Sequence, residues 1–206
     1  GWTVMTQRDT KAAIREAAMR LFAEQGFRKV STREIARLVG IQSPSIYRHF
    51  GSVNDIIEEV VTEVSERRAS LYRDILDSGL NRPEALKAIV IRMIAGLQED
   101  RRLLHLYQHM LTPSSAETMR ISSEVWDRGM LPELIRLIAE IDPDTDADFA
   151  YFLLFSFVLG ASLFRPTHEM RRPLSPDQRN PILLAERGLV AALPAIDWAG
   201  VPPVRA

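Results

Sequence analysis

The sequence contains no cysteine. Disulfides, thiolate metal sites and cysteine nucleophiles are therefore excluded at the outset. Its opening stretch, GWTVMTQRDTK, lacks the apolar core that a signal peptide needs. Gly1 reads as a candidate tag remnant and Met5 as a candidate natural start, so a cytoplasmic protein is the expectation. The most apolar run, FAYFLLFSFVLGASLF at 149–164, falls short of the ~18 uninterrupted apolar residues that a membrane span needs. Strand-like alternation, repeats and low-complexity segments are missing too, which points to an all-α architecture. Common catalytic signatures are also lacking: there is no Gly-rich phosphate loop, no Gly-x-Ser-x-Gly elbow and no His-Glu-x-x-His.

The chain has little net charge, −1 in all, but distributes it unevenly. Residues 1–50 hold nine Lys or Arg (Arg8, Lys11, Arg15, Arg20, Arg28, Lys29, Arg33, Arg37, Arg48) against four acids, a net of +5 that leaves −6 for the remainder. A basic head on an acidic body suggests that the head meets a polyanion; chance clustering is the alternative reading.

Three short helices fit those first 50 residues. The first carries Ile14, Ala18, Leu21 and Phe22 on one stripe and stops at Gly26, a natural residue beyond a helix end. STRE at 31–34 opens the second, with Ser31 as cap and Glu34 reaching back to it. This helix turns Ile35, Ala36 and Val39 inward and ends at Gly40, which can take the left-handed conformation freely. After a short turn Ser43 can cap a third helix, and Pro44 suits its first position. Helix, Gly-containing turn, helix is the helix-turn-helix spacing. In SPSIYRHF, residues 43–50, Ile46 and Phe50 are four apart and can anchor the third helix. Ser43, Ser45, Tyr47, Arg48 and His49 are left for its outer surface and N-terminal end, where hydroxyls and a guanidinium can meet phosphates or base edges. The plain alternative is a solvated polar face; the turn spacing and the charge favour DNA.

The segment STREIARLVGIQSPSIYRHFGSVNDII closely resembles the DNA-binding domain of TetR-family transcriptional regulators. Thr32, EIA, Gly40, Tyr47, Phe50 and NDII carry the resemblance, which covers roughly residues 8–60. It implies that Thr32 and Arg33 on the second helix, and Ser43, Pro44, Ser45, Tyr47, Arg48 and His49 on the third, face DNA. One departure stands out. After HFGS the family usually has a phosphate-touching lysine, where this chain has Val53.

Downstream, Ser52 and Asp55 form another capping box at the start of a long helix through residue 77. Pro83 opens the next helix, and 101–111 reads as a shorter one. A long helix from Ala116 to Ile141 is expected to break near Pro132. An apolar helix spans 147–164, RPTHEMRRPLSPDQRNP reads as loop, and a last helix covers about 182–193. The domains expected are a head at 1–51 and an effector-binding and dimerisation body at 52–206.

The helix at 149–164 is apolar nearly all round and should be buried on several sides. Its Ser156 and Gly160, with Ala185, Gly188 and Ala192 of the last helix, form small faces that let helices approach closely. Doubled by a twofold axis they make a four-helix homodimer interface, as the resemblance implies; filling the monomer core is the other reading. A dimer would present two recognition helices to palindromic half-sites ~34–36 Å apart.

Bulky residues Tyr107, Met110, Met119, Trp126, Phe149, Phe152 and Phe155, with the sparse polar groups His105, Gln108, His109 and Arg120, are material for an effector pocket. Of these, His105, Gln108, His109, Trp126, Phe152 and Phe155 are the candidate effector contacts. His105 and His109 stand at i, i+4, a metal-compatible spacing, but no third ligand lies within sequence reach, so neither metal nor cofactor is expected. The leading expectation is a repressor, not an enzyme, released from double-stranded operator DNA by a small molecule. A regulator without an effector is the near alternative. An all-α enzyme with an incidental basic head is the distant one.

Overall fold

The computed structural model describes residues 7–112 and 115–202. Gly1, Met5 and the side chain of Arg8 lie outside the described residues. Among those residues there is no strand. The chain runs through α1 (Gln7–Gln25), a 3₁₀ turn (Phe27–Lys29), α2 (Thr32–Val39), α3 (Ser43–Ile46), α4 (Val53–Leu76) and α5 (Arg82–Glu99). It continues through α6 (Arg101–Leu111), α7 (Ala116–Arg128), α8 (Leu131–Ile141), α9 (Ala147–Arg171), α10 (Pro176–Arg179) and α11 (Pro181–Ala192). Two compact units result, one of residues up to 67 with 105–127, the other of residues 68–104 with 128 onward.

The first unit is built on the head's expected stripe. Ile14, Ala18 and Phe22 of α1, Ile35 and Ala36 of α2, and Ile46 after the turn are all but fully buried. Each large side chain so buried contributes roughly 1.5–3 kcal/mol relative to exposure. Local sequence sets the helix ends. Ser31 and Glu34 close a reciprocal capping box on α2, and Gly40 ends it at φ 77°. Ser52 does the same for α4 with Asp55, at 3.0–3.2 Å.

Three local expectations need correction. Gln42, not Ser43, is the residue before α3; Ser43 and Pro44 are its first two helical positions, and no side chain caps it. After Ile46 the chain makes a turn rather than more α-helix, so only four residues are helical. Val39 is half-buried, being the last residue before the αL glycine.

In the second unit α5 packs on α8, α9 and α11. The small face of α11 is used inside the chain: Ala185 and Leu189 are fully buried, and a Cβ at Gly188 would meet Phe157 Cδ1 of α9 at 2.7 Å. Ala185, Gly188 and Ala192 thus follow the monomer-core reading, because only residues this small let α11 lie against α9. Ser156 is exposed, and a Cβ at Gly160 would meet open space.

α9 departs from expectation twice. It continues through Pro166 to Arg171 instead of yielding to loop. A proline there forgoes one backbone hydrogen bond, but ion pairs hold the far turn: Glu169 takes Arg179 Nε of α10 at 2.9 Å and Arg165 Nε at 3.9 Å. The segment read as loop also contains α10, capped by Ser175 with Gln178. The second departure is exposure. Phe149, Phe152 and Phe164 are 55%, 60% and 72% exposed, so the helix is open along one side rather than enclosed. At 25 residues, with a window of mean hydropathy 1.8, it is long and apolar enough to cross a membrane.

Beyond α11 the chain turns back on itself. Trp198 is buried and its indole N–H donates to the Leu193 carbonyl at 3.0 Å. The turn is fastened by Lys87 of α5, which is wholly buried. Its Nζ donates to Glu186 Oε1 at 2.8 Å, to the Trp198 carbonyl at 3.2 Å and to the Val201 carbonyl. A buried ammonium is tolerated only when its donors are all met. Lys87→Met keeps the apolar stem and removes those donors. Glu186 is 30% exposed and can regain water, so the expected loss in urea unfolding lies at the low end for a broken buried pair, about 3 kcal/mol. An unchanged midpoint would show that the ammonium adds nothing net.

Candidate nucleic-acid interface

The first unit brings the start of α2 to the turn that follows α3. Thr32 Oγ1 lies 3.4 Å from the Tyr47 hydroxyl, so the two elements share a polar edge. Tyr47 is 57% exposed, Arg33, Pro44 and Arg48 are exposed, and Thr32, Ser43, Ser45 and His49 are half-buried. Behind this edge Ile46 and Phe50 are buried. The octapeptide is therefore divided as its spacing implies, two apolar anchors inward and a hydroxyl, a guanidinium and an imidazole outward. Val53, which opens α4, is half-buried.

The head's positive charge sorts itself into two groups. The described cations of α1 are paired: Lys11 with Glu59, Arg15 with Glu59 and Glu63, and Arg20 with Glu24. Arg28, Lys29, Arg33 and Arg48 are exposed, with no ion pair among the described residues. The unpaired charge thus stands on the 3₁₀ turn, on α2 and after α3. Composition reports the excess but not this sorting. The acid on α2, Glu34, is engaged locally: Ser31's backbone and hydroxyl donate to its carboxylate and hold it below the usual carboxylate range.

The candidate effector residues divide between the two units. His105, Gln108, His109 and Trp126 belong to the first, Phe152 and Phe155 to the second. Gln108 is exposed and His105 half-buried. Trp126 meets Tyr107 edge to face at 5.9 Å. In the second unit Phe152 stacks on Phe149 at 6.1 Å, and Phe155 on Tyr151 at 5.6 Å. Arg120 stands exposed on α7 between Glu117 and Glu124, and their carboxylates push its pKa up.

His109 has a contact that helical spacing did not reveal. Its ring lies edge-on to Phe27 at 6.2 Å, and a Cβ at Gly26 would be 3.1 Å from its Cε1. Gly26 sits at φ 80°, a region that L side chains rarely adopt. The glycine that ends α1 therefore also leaves room for the imidazole. Burial lowers the His109 pKa, and His105 lowers it further, against a hydrogen bond to the Ala23 carbonyl that raises it. The unfolded chain takes up a proton at this site near pH 6.5, the folded one only at lower pH. Stability linked to His109 is thus fully present above about pH 6.5 and is lost as pH falls below it. Thermal unfolding followed from pH 7.5 to 5.5 should show a steeper loss for the wild type than for His109→Gln. Parallel curves would remove His109 from the acid sensitivity.

Fold and site together define a helix-turn-helix protein with an all-helical body. Residues 14–60 match the model of the family described as bacterial regulatory proteins, tetR family. The likeness to that family is thus carried by the head, residues 14–60. Among curated proteins it is 31% identical over 98 residues to the HTH-type transcriptional repressor KstR2 of Mycobacterium tuberculosis, covering 48% of this chain and 49% of that one. It therefore spans about half the length of the first curated relatives it matches. A longer match, 27% over 146 residues, covers 68% of this chain and 74% of the uncharacterised regulator YdgC of Bacillus subtilis. Solved structures share the fold. The regulator FadR of Bacillus subtilis, in complex with stearoyl-CoA, superposes with a TM-score of 0.73 at 19% identity, over 90% of this chain and 98% of that one. SmeT, the repressor of the Stenotrophomonas maltophilia efflux pump SmeDEF, gives 0.65 at 23%, over 95% and 97%.

Proposed function

We propose that the protein is a transcriptional repressor that binds a palindromic DNA operator as a homodimer and is released by a small-molecule effector. The observation that carries this is the divided octapeptide, with its anchors buried and Tyr47 and Arg48 exposed beside unpaired cations. Thr32, Arg33, Ser43, Pro44, Ser45, Tyr47, Arg48 and His49 are the DNA-facing residues in this reading. Arginine can grip guanine or phosphate in two-pronged fashion, and hydroxyls and helix starts position the backbone. The KstR2 relatives are repressors by name, and the FadR neighbour holds an acyl-CoA. Both favour a ligand-released repressor over an enzyme or a regulator without an effector. Release requires only that the effector prefer the conformer that does not bind DNA. The head is taken to end at 51, where Ser52 begins the cap of α4, and the setting is the cytoplasm.

The test begins with selection of bound duplexes from a random pool. On the selected sequence, Arg48→Ala and Tyr47→Ala should each weaken specific binding while leaving thermal stability unchanged. A two-pronged base contact is worth ~1–3 kcal/mol, so a dimer losing two should fall by ~2–6 kcal/mol. Wild-type affinity in both variants would refute this recognition edge.

For the dimer, the supporting observation is the open stripe on α9. Phe149, Phe152, Leu153, Ser156, Gly160 and Phe164 follow one another at helical spacing, and Leu183 and Val190 of α11 are also exposed. A soluble chain rarely leaves such a stripe uncovered. Phe152→Glu adds a charge to a largely exposed side chain and gives up its stacking on Phe149 within the subunit. Sedimentation should shift from dimer to monomer with little change in the subunit's helicity. A variant that still sediments as a dimer would put the interface elsewhere.

A further inference from the structure

The second unit contains a cavity of about 290 Å³ where α9, α10 and α11 meet. It is separate from the aromatic pairs named above and shares none of their residues. Ala161, Phe164, Leu183 and Leu184 give it apolar walls, while Arg165, His168 and Arg187 bring basic side chains to it. Asp177 is the acid that lines it.

Two observations on the arginines point to an anion. Arg187 is exposed, lines the cavity and has no ion pair among the described residues. Arg165 is only loosely satisfied: its Nε lies 3.9 Å from Glu169 Oε1, an oxygen that Arg179 approaches to 2.9 Å. Glu169 is therefore committed mainly to Arg179. With two incompletely neutralised guanidiniums against one aspartate, the lining is net cationic. A guanidinium beside apolar surface is weakly hydrated and well shaped for a carboxylate or phosphate. The volume lies at the lower edge of the roughly 300–1,000 Å³ usual for small-molecule sites.

We infer that this cavity binds a small amphipathic anion, its carboxylate or phosphate head at Arg165 and Arg187 and its apolar tail against Phe164 and Leu184. The binding does not depend on the repressor reading; only its effect on DNA does. α9 also carries the open stripe proposed as the dimer face, and Gly160, Phe164 and Leu183 border both features. An occupied cavity would therefore bear directly on how a second copy seats.

The test is calorimetric titration of the full chain with octanoate, octyl phosphate and octylamine. The anions should bind saturably, one per chain, and the amine should not; the tighter of the two anions identifies the head group. Arg187→Gln should weaken the anions at least about tenfold, the weight of one charge-assisted hydrogen bond. Ala161→Leu, which fills the cavity instead of removing a charge, should also lose binding while melting as a folded protein. No saturable anion binding, equal binding of the amine, or anion binding untouched by both variants would overturn the inference. Operator binding is measured alongside. Octanoate binding without DNA binding would sink the repressor reading alone, and DNA binding without octanoate binding would sink this site alone.

Discussion

A helix of four residues cannot hold itself together, and the polar edge of Thr32 and Tyr47 depends on that fact. Nucleating a helical turn fixes several dihedrals for a single hydrogen bond, so α3 has no independent existence in water. It persists because Ile46 and Phe50 are drawn into a core already formed by Ile14, Phe22 and Ile35. The same two anchors fix the azimuth of every residue between them. Tyr47, Arg48 and His49 cannot turn inward without expelling an anchor, at a cost of roughly 1.5–3 kcal/mol for each large side chain. The outward face is therefore defined by what lies behind it. Thr32 adds the second constraint, holding the Tyr47 hydroxyl from the start of α2.

What was legible in the sequence was local. The caps at Ser31 and Ser52 are bonds across three residues, and their partners Glu34 and Asp55 appear in the same short string. The break near Pro132 and the αL turn at Gly40 are properties of single residues. What was not legible spans the chain. Lys87 meets Glu186 and Trp198 across 99 and 111 residues, and nothing in a helical stripe distinguishes a lysine bound for the core from one bound for water. Pro166 misled for a related reason: a proline's local preference does not show what the turn beyond it meets, and α9 runs on to Arg171 with Glu169 paired to Arg179 of α10. His109 belongs to the same class, since its place beside Gly26 follows from tertiary packing and not from its spacing to His105.

Small residues show how one composition can serve two ends. Gly188 and Gly160 read alike in the sequence, each a glycine in an apolar helix. Gly188 admits Phe157 of the same chain, so its lack of a side chain is a condition of folding. Gly160 faces open space, so nothing in the subunit requires it to be glycine. A glycine costs helix stability of about 1 kcal/mol relative to alanine, and the place of Gly160 on the open stripe fits the proposed dimer, in which a second copy would pack against it.

The same logic applies to charge. Lys11, Arg15 and Arg20 of α1 are matched with acids of their own unit, and that matching contributes to the fold. Arg28, Lys29, Arg33 and Arg48 are matched with nothing among the described residues, and their mutual repulsion opposes the compact state. Arg187 repeats the pattern at the cavity of the second unit. Exposed apolar residues on α9 and unpaired cations on the head are thus the same kind of evidence. Each is a term left unfavourable by the isolated chain, and each suits a different one of the proposed complements: apolar surface for the stripe, a polyanion for the head, a single small anion for the cavity. The chemistry of each complement follows from the sign of what is unsatisfied, which is why three separate partners are proposed and not one.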